Sequence, residues 1–458
     1  MKKLYRYSTI VFSVLSLSLT SCSDYLDRDD DDNITEADVF ARYEKVNGLV
    51  SDVYAAAKKA DRPLVFFEHF SNSAITDECE GTNVEGNITN NFNNGAWNPN
   101  SLPGSVGQYW EALYEGIRKA NLIIENVQKY NTPDNPQQDG DLRNRIGEMY
   151  FMRGYFHMLL LRMYGEAPYI DYVVHAGDNM DFKKESVHAM VEKIVADAQT
   201  AYSMVPNKYV KTSENFGRVD KGACLGLIAF VRWVAATPLW NGASQYGYNL
   251  RRVFENEYAY DINRWRRAKE AAKAVMDFEV GGTKRYSLYT KHDANDFKDP
   301  ADGNLNDSRV YARLWDMFYD MDAFANEYVF FMTKSKDQAW QGDIYPPSRE
   351  GSSRQQPVQE QVDEYEYIVG DYGYPVYSAE ARKGGYDDAN PYVKGTRDPR
   401  FYRDIIYHGA PYRNNNNESK IINTASGSDK IGATNATTTG YYLRKFQQES
   451  WNKSGNFS

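Results

Sequence analysis

Apolar residues recur with a helical period through the first two thirds of the chain. Between Ala37 and Lys59 they fall at Val39, Tyr43, Val46, Leu49, Val50, Val53 and Ala57. Between Ser105 and Tyr130 they fall at Val106, Trp110, Leu113, Ile117, Ala120, Ile124 and Val127. A spacing of three to four residues places each set on one helix face. Leu142 to Tyr164 is apolar on more than one face and predicts a central helix, with Gly165 as its stop and Pro168 beyond. Ser186 to Val205 runs from an N-cap residue to the breaker Pro206. Asp220 to Ala236 predicts a second all-round apolar helix, whose Ala and Gly residues permit close neighbours, and Asn263 to Phe278 predicts the last helix. Helices joined pairwise by turns suggest an α-solenoid of tetratricopeptide type, although the strict repeat signature is absent. On these stripes Trp110, Trp233 and Trp265 are expected in the core, and His157 is expected to be a satisfied core histidine.

The pattern changes in Phe70 to Gly104, in Tyr286 to Ser308 and through most of 334–440, which are polar and rich in Asn, Asp and Gly. The last of these carries a Tyr-heavy stretch at 364–377 and an Asn run around Asn415. Loops this long in a compact domain are usually functional or disordered. Glu327 to Thr333 and Tyr441 to Phe446 read as short strands. The expected fold is therefore mainly α: a tetratricopeptide-like helical scaffold over residues 36–280, with long irregular loops and a few short strands. The irregular, ligand-binding half is expected mainly in 70–104 and 281–458.

The N-terminus reads as an address. Lys2, Lys3 and Arg6 precede an apolar run from Thr9 to Leu19, too short to span a bilayer. Leu19-Thr20-Ser21-Cys22 then matches the bacterial lipobox, so residues 1–21 are expected to be a lipoprotein signal peptide and Cys22 the lipidated residue. Two or more acyl chains give stable anchoring. The Asp-rich stretch of 22–35 is a solvated tether and, just behind a lipid-bearing Cys, resembles the surface-export signal of Bacteroidetes lipoproteins.

Composition narrows the function. The net charge of −10 gives no Lys/Arg surplus to neutralise phosphates, which argues against nucleic acid as a partner. With 8 Trp, 37 Tyr and 21 Phe the chain is a folded protein, and three Cys in 458 residues do not make a disulfide-built scaffold. Cys79 and Cys224 leave one bond possible. No H-E-x-x-H, metal-spaced Cys/His cluster or Walker-type loop occurs, so no cofactor or metal is implied. Ser105, in Pro103-Gly-Ser-Val-Gly, reads as a helix start rather than a nucleophile, because no strand precedes it. Asp302-Gly-Asn-Leu-Asn-Asp307 begins like a calcium loop but lacks the sixth-position Gly, and Arg313 stands where the closing acid belongs. A glycosidase needs only two carboxylates across a cleft, and 63 acidic residues leave that class open.

The polar loops place aromatic faces beside amides and acids: Trp97 next to Asn98, with Asp77 earlier in the same loop region, and Trp340 in Asp337-Gln-Ala-Trp-Gln-Gly-Asp343, with Tyr345 behind it. A sugar has an apolar C–H face and a rim of hydroxyls, so an aromatic plate flanked by Asn, Gln and Asp suits it. Each plate contributes roughly 1.5–2.5 kcal/mol. Trp97, Asn98, Asp77, Trp340 and Tyr345 are the candidate ligand residues; no catalytic residue is assigned.

A series of segments then resembles the SusD/RagB family of Bacteroidetes surface lipoproteins. Tyr109-Trp-x-x-Leu-Tyr-x-x-Ile-x-x-Ala-Asn121 is similar to its early helix. Glu148-Met-Tyr-Phe-Met-Arg153-Gly-Tyr-Phe, ending in Arg162-Met-Tyr-Gly165-Glu-Ala-Pro168, is similar to its most recognisable stretch. Gly217-Arg-Val-Asp-Lys221-Gly-Ala, Thr237-Pro-Leu-Trp-Asn241-Gly, Asn326-Glu-Tyr-Val-Phe-Phe, Val362-Asp-x-Tyr365, Arg397-Asp-Pro-Arg400-Phe-Tyr and Thr439-Gly-Tyr-Tyr-x-x-Lys445-Phe follow in the family's order. The resemblance implies a tetratricopeptide-like scaffold and a non-catalytic receptor. That receptor captures a glycan and delivers it to a TonB-dependent SusC-like transporter, held on the outer membrane by its lipid anchor. The family pattern continues past Gly-Tyr-Tyr into a further helical segment that this chain does not carry, so truncation at the C-terminus is expected. A surface peptide receptor is the nearest alternative; a polysaccharide hydrolase and an adhesive lipoprotein are the others.

Overall fold

The computed structural model describes residues 35–60, 70–81, 88–98, 100–130, 136–209, 214–243, 254–290, 317–318, 326–332, 338–393, 395–413 and 419–447. Cys22, the signal and most of the tether, and the Asp302 segment lie outside the described residues. The chain opens with α1 (Glu36–Phe40) and α2 (Tyr43–Ala60), a hairpin of β1 (Ile75–Thr76) and β2 (Cys79–Gly81), and α3 (Ile88–Asn93). The scaffold continues through α4 (Gly104–Tyr130), α5 (Pro136–Tyr164), α6 (Val187–Met204), α7 (Lys221–Ala236) and α8 (Ile262–Asp277), followed by a hairpin of β3 (Glu279–Val280) and β4 (Thr283–Lys284). From α2 onward each long helix packs on the next, and one continuous core runs from Phe40 to Tyr258. This is the tetratricopeptide-like stack that the apolar periods predict.

Capping explains several of the boundaries. The Ser186 hydroxyl accepts from the Ala189 N–H at 3.2 Å, and the Asp220 carboxylate from Ala223 N–H at 3.0 Å, so α6 and α7 begin where side-chain oxygens replace missing helix partners. Gly165 ends α5 with φ of 70°, and a Cβ there would sit 2.8 Å from the Trp240 ring. The expected first helix is broken at Ala41, the C-cap of the short α1, which opens at its Thr35–Asp38 capping box. Helix α5 starts six residues before its expected position, because its first turns are polar and add nothing to an apolar period.

Two charged networks lie inside this stack. The fully buried Glu148 carboxylate accepts from Arg145 at 2.6 Å and Tyr209 at 2.6 Å on one oxygen, and from Arg218 at 2.8 Å and Tyr54 at 3.0 Å on the other. Burial, then the carboxylate, holds the Tyr54 and Tyr209 phenols well above their ordinary range, so both remain donors. On the other side of α5, Arg153 forks onto Asp197 at 2.8 and 2.5 Å, and Tyr169 donates to the same carboxylate at 2.6 Å.

His157 is the expected satisfied core histidine. Its Nδ1 meets the Arg153 carbonyl at 2.8 Å, its Nε2 accepts the Ile170 N–H at 3.1 Å, and its ring stacks on Tyr169 at 3.7 Å. Burial lowers its pKa to about 3 from 6.5. The unfolded chain therefore binds one more proton between these values, and stability drops as pH falls below about 6.5. A His157→Gln protein keeps a donor and an acceptor but does not titrate. The stability gap between wild type and this variant should shrink by about 2 kcal/mol between pH 7 and 4.5, measured by urea unfolding. A constant gap would contradict a neutral buried imidazole.

The second half is irregular. It comprises α9 (Gln338–Ile344), β5 (Gln355–Pro357), α10 (Gln359–Asp363), the hairpin β6 (Tyr367–Val369) and β7 (Tyr372–Tyr374), α11 (Ala379–Lys383), α12 (Pro399–Asp404), β8 (Ile405–Ile406), the ladder β9 (Pro411–Arg413) and β10 (Ser419–Ile421), and β11 (Tyr442–Leu443), paired with β8. Its core is largely tyrosine: Tyr345, Tyr402, Tyr407, Tyr412, Tyr441 and Tyr442 pack around Phe401. The hydroxyls answer irregular backbone, as where Tyr442 donates to the Asp429 carbonyl at 2.8 Å and Tyr402 to that of Val393. Strand β2 of the early hairpin pairs antiparallel with β5, Cys79 opposite Pro357 and Gly81 opposite Gln355, which joins the two distant loop regions in one three-stranded sheet.

Several expectations need correction. Residues 326–332 form no strand: Phe330 is edge-on to Phe151 at 4.9 Å and to Tyr155 at 5.4 Å, so the apolar run covers helices instead of pairing. The second expected strand shrinks to β11. Trp110 packs against the helical core, but Trp233 and Trp265 are 50% and 36% exposed, since the outer faces of α7 and α8 have no further described helix over them. Cys79 and Cys224 are both buried, free thiols, one in β2 and one in α7, so no bond joins them.

Candidate functional site

The early loop region folds into a small unit that presents Trp97. Helix α3 ends in a Schellman turn: the Ala96 N–H reaches the Asn91 carbonyl and the Gly95 N–H that of Phe92, both at 2.8 Å, with Gly95 at φ 71°. This reversal swings Trp97 back against Phe92, ring centroids 4.8 Å apart and nearly perpendicular. One side of Trp97 packs on the buried cluster of Phe70, Ala74 and Cys79, which Ile75, Ile88 and Val106 also cover, leaving the ring half-buried. Asn98 beside it is exposed, its Oδ1 accepting from the Asn100 N–H at 3.0 Å. Asp77 and Glu78 form the two-residue turn of the β1–β2 hairpin, Asp77 exposed and Glu78 accepting from the Ser73 hydroxyl at 2.9 Å. Asn93 Nδ2 ties α3 to this hairpin through the Ala74 carbonyl and the Glu80 carboxylate, each at 3.3 Å. Trp97, Asn98 and Asp77 therefore share one unit.

Trp340 and Tyr345 do not join them. Trp340 is 5% and Tyr345 1% exposed. The Trp340 ring lies against Phe446, and Tyr345 is capped by the Arg349 guanidinium at 4.8 Å while its carbonyl accepts the Ser353 N–H at 3.2 Å. No face of either ring is open to a sugar; both are core. Their polar flanks misled the sequence reading, because in this half polar residues wrap the core rather than mark its edge.

Open aromatic faces of the second half lie instead in the Tyr-heavy stretch. Tyr372 and Tyr377 are 69% and 56% exposed. Tyr377 donates to the Asp363 carboxylate at 3.0 Å and stands perpendicular to Tyr386 at 6.2 Å. Partial desolvation, then Asp363, pushes its phenol up to about 12, so it stays a protonated donor at neutral pH. The signal was present in the sequence: Gly370-Asp371 between two aromatic runs is hairpin chemistry, and it projects Tyr372 at the turn. The Val358 N–H donates to the Glu78 carbonyl, so α10 starts at the Asp77–Glu78 turn and ends five residues on at Asp363. A helix of that length spans about 8 Å. The sheet and this helix link the Trp97 unit to the Tyr377–Asp363 pair.

Aromatic faces, amides and acids in this arrangement can bind a polyhydroxylated ligand by stacking and hydrogen bonding. Among the described residues no cluster of three or more His, Cys, Asp or Glu side chains is placed to hold a metal. Burial pushes the Cys79 thiol beneath Trp97 up to about 12, which makes it a packing group rather than a nucleophile.

Two family models match the chain. One, SusD-like and described as "starch-binding associating with outer membrane", covers residues 24–231; the other, of the SusD family, covers 314–457. A SusD-like protein P2 from Formosa agariphila is 26% identical over 202 residues, 43% of this chain and 38% of that protein, so the matched part spans well under half of that relative's length. A SusD-like protein from Bacteroides fragilis has a solved structure that superposes with a TM-score of 0.62 at 18% identity, over 92% of this chain and 70% of that one. A second solved B. fragilis protein, called SusD-like and carbohydrate-binding, gives a TM-score of 0.63 at 14% identity over 90% and 69%. These structures share the fold.

Proposed function

Because the chain belongs to the SusD/RagB family, we propose that it is a non-catalytic glycan receptor, anchored through Cys22 to the outer face of the outer membrane, that passes its ligand to a TonB-dependent SusC-like transporter. The observation that carries the binding role is the half-open Trp97 ring, locked by the Gly95 turn beside exposed Asn98 and Asp77. Tyr377 and Tyr372 extend the surface with further aromatic faces. Trp97 stacks on the C–H face of one sugar ring while Asn98 and Asp77 take its hydroxyls. Two or three plates give only about millimolar to high-micromolar affinity. Tethering many copies to one surface compensates for this. No helix among the described residues is long and apolar enough to cross a membrane.

The test uses whole cells carrying the full chain, incubated with fluorescent polysaccharides and peptides, with product analysis of the medium. We expect cell-bound fluorescence for one polysaccharide class, no cleavage, and transfer of that binding to the soluble fraction in Cys22→Ala cells. Cleavage products would replace the receptor by a hydrolase, and binding confined to peptides would replace the ligand class. Cell-bound fluorescence in the Cys22→Ala strain would sink the anchor.

A further inference from the structure

A cavity lies on the helical scaffold, between α4 and the chain that leaves α5. Helix α4 carries Trp110, Tyr114, Ile117 and Arg118 on one face, and the chain leaving α5 crosses that face as a strap without helix or strand. The strap is fastened at its near end. Tyr114 Oη donates to the Pro168 carbonyl at 2.8 Å, Asn121 Nδ2 to those of Ile170 and Tyr172 at 3.2 and 2.9 Å, and Arg118 to that of Val174 at 2.5 Å. The strap then turns at His175–Asp178 and returns, closing where the Glu185 N–H meets the Ala167 carbonyl at 3.1 Å. Compact surface loops usually fill themselves with their own side chains. Here these bonds tie one end of the strap to α4, and an open cavity of about 680 Å³ remains beside them, with Tyr172 and Met180 exposed along it. That volume is within the range of small-molecule sites, which are mainly apolar with a few convergent polar groups.

We propose that this cavity binds a neutral, planar aromatic molecule carrying an acceptor oxygen, seated among Trp110, Tyr114 and Tyr172 and hydrogen-bonded by Arg118. The wall chemistry sets the class: four aromatic rings, Trp110, Tyr114, Tyr172 and Phe182, with Ile117, Val174 and Met180 make the lining mainly apolar, with few partners for a rim of hydroxyls. The polar groups set its charge. The exposed Glu111 and Asp178 outnumber Arg118 at the opening, so an anion gains no net partner there, and the apolar walls behind them disfavour a desolvated cation. Arg118 makes one hydrogen bond, to Val174, and no ion pair among the described residues, which leaves guanidinium N–H groups for a ligand carbonyl or ether. Another apolar cavity, about 580 Å³ along α7 between Trp233 and Met276, is lined in part by Val329 and Phe330 and has Arg162 as its one charged lining residue, so it serves as the internal control.

The probe is prodan, a neutral naphthyl ketone whose emission shifts to the blue in apolar surroundings, titrated into the full chain. We expect saturable, blue-shifted binding. Tyr172→Ala and Met180→Glu, both at exposed positions, should each weaken it about tenfold. Arg118→Leu should weaken it about fivefold, and Met276→Glu should leave it within twofold. Absence of saturable binding overturns the site, as does binding lost on Met276→Glu but kept on Met180→Glu. Because the probe is not a sugar, failure here leaves the glycan reading standing, and failure of glycan binding leaves this one standing.

Discussion

Glu148→Ala should destabilise the protein by about 3–5 kcal/mol, the largest loss expected from any single side chain of the scaffold. The carboxylate is fully buried and receives four donors from three segments: Tyr54 on α2, Arg145 on its own helix, and Tyr209 and Arg218 on the connection between α6 and α7. Removing it leaves two guanidinium groups, 6% and 12% exposed, without a counter-charge. Uncompensated buried charge costs far more than the pair contributes when intact. The logic has a second test. Glu148→Ala combined with Arg218→Ala should lose less than the two single changes added together, because the second change removes one of the stranded cations. Urea unfolding of the four proteins measures both effects. Additive losses, or a Glu148→Ala loss under about 1 kcal/mol, would mean that water reaches these groups and that the network is not sealed.

The helical half was legible because each long helix announces itself by period and cap. Ser186, Asp220 and Gly165 stand at helix ends in the sequence and in the structure alike. What the period could not show is which face of an all-round apolar helix ends up covered. Trp233 and Trp265 obey the stripe and still lie partly open, since covering them depends on elements distant in sequence. The irregular half was misread for a different reason. Its tyrosines looked like surface groups because their neighbours are polar, yet in a region with little ladder pairing they are the better core residues. Each supplies a buried ring and a donor for a carbonyl that no strand or helix uses, as Tyr442 does for Asp429. Arg397 serves the same end, only 2% exposed and donating to the carbonyls of Tyr365 at 2.9 Å and Val362 at 2.6 Å. The rule that polar surroundings mark exposure fails where backbone, not side chain, is the polar group to be satisfied. The same failure put Trp340 and Tyr345 among the candidate ligand residues. Trp97 stays half-buried instead, placed by a turn at Gly95 that is local in sequence.

That contrast gives the second large effect. Trp97→Ala and Trp340→Ala remove the same side chain from similar sequence surroundings and should act on different quantities. Trp340 is 5% exposed against Phe446, so its loss should cost about 3–5 kcal/mol of stability, with the surviving folded protein binding oligosaccharide normally. Trp97 is half-buried, and its inner edge contributes to the small cluster of Phe70, Ala74 and Cys79, so its loss should cost only about 1–2 kcal/mol of stability. Its open face is one plate, worth about 1.5–2.5 kcal/mol of contact, so binding to the identified polysaccharide should weaken about tenfold or more. Trp97→Phe should recover part of the affinity, because a smaller ring still covers the C–H face of a sugar, while Asn98→Ala should remove a hydrogen-bonding amide and leave the stack. Calorimetric titration alongside urea unfolding separates the two axes. Equal losses of binding and stability at Trp97 would make it a second core residue, and the ligand surface would then rest on Tyr372 and Tyr377 alone. A binding loss at Trp340 that exceeds its unfolded fraction would mean that the irregular half opens to admit the ligand, with its tyrosine core as the part that moves.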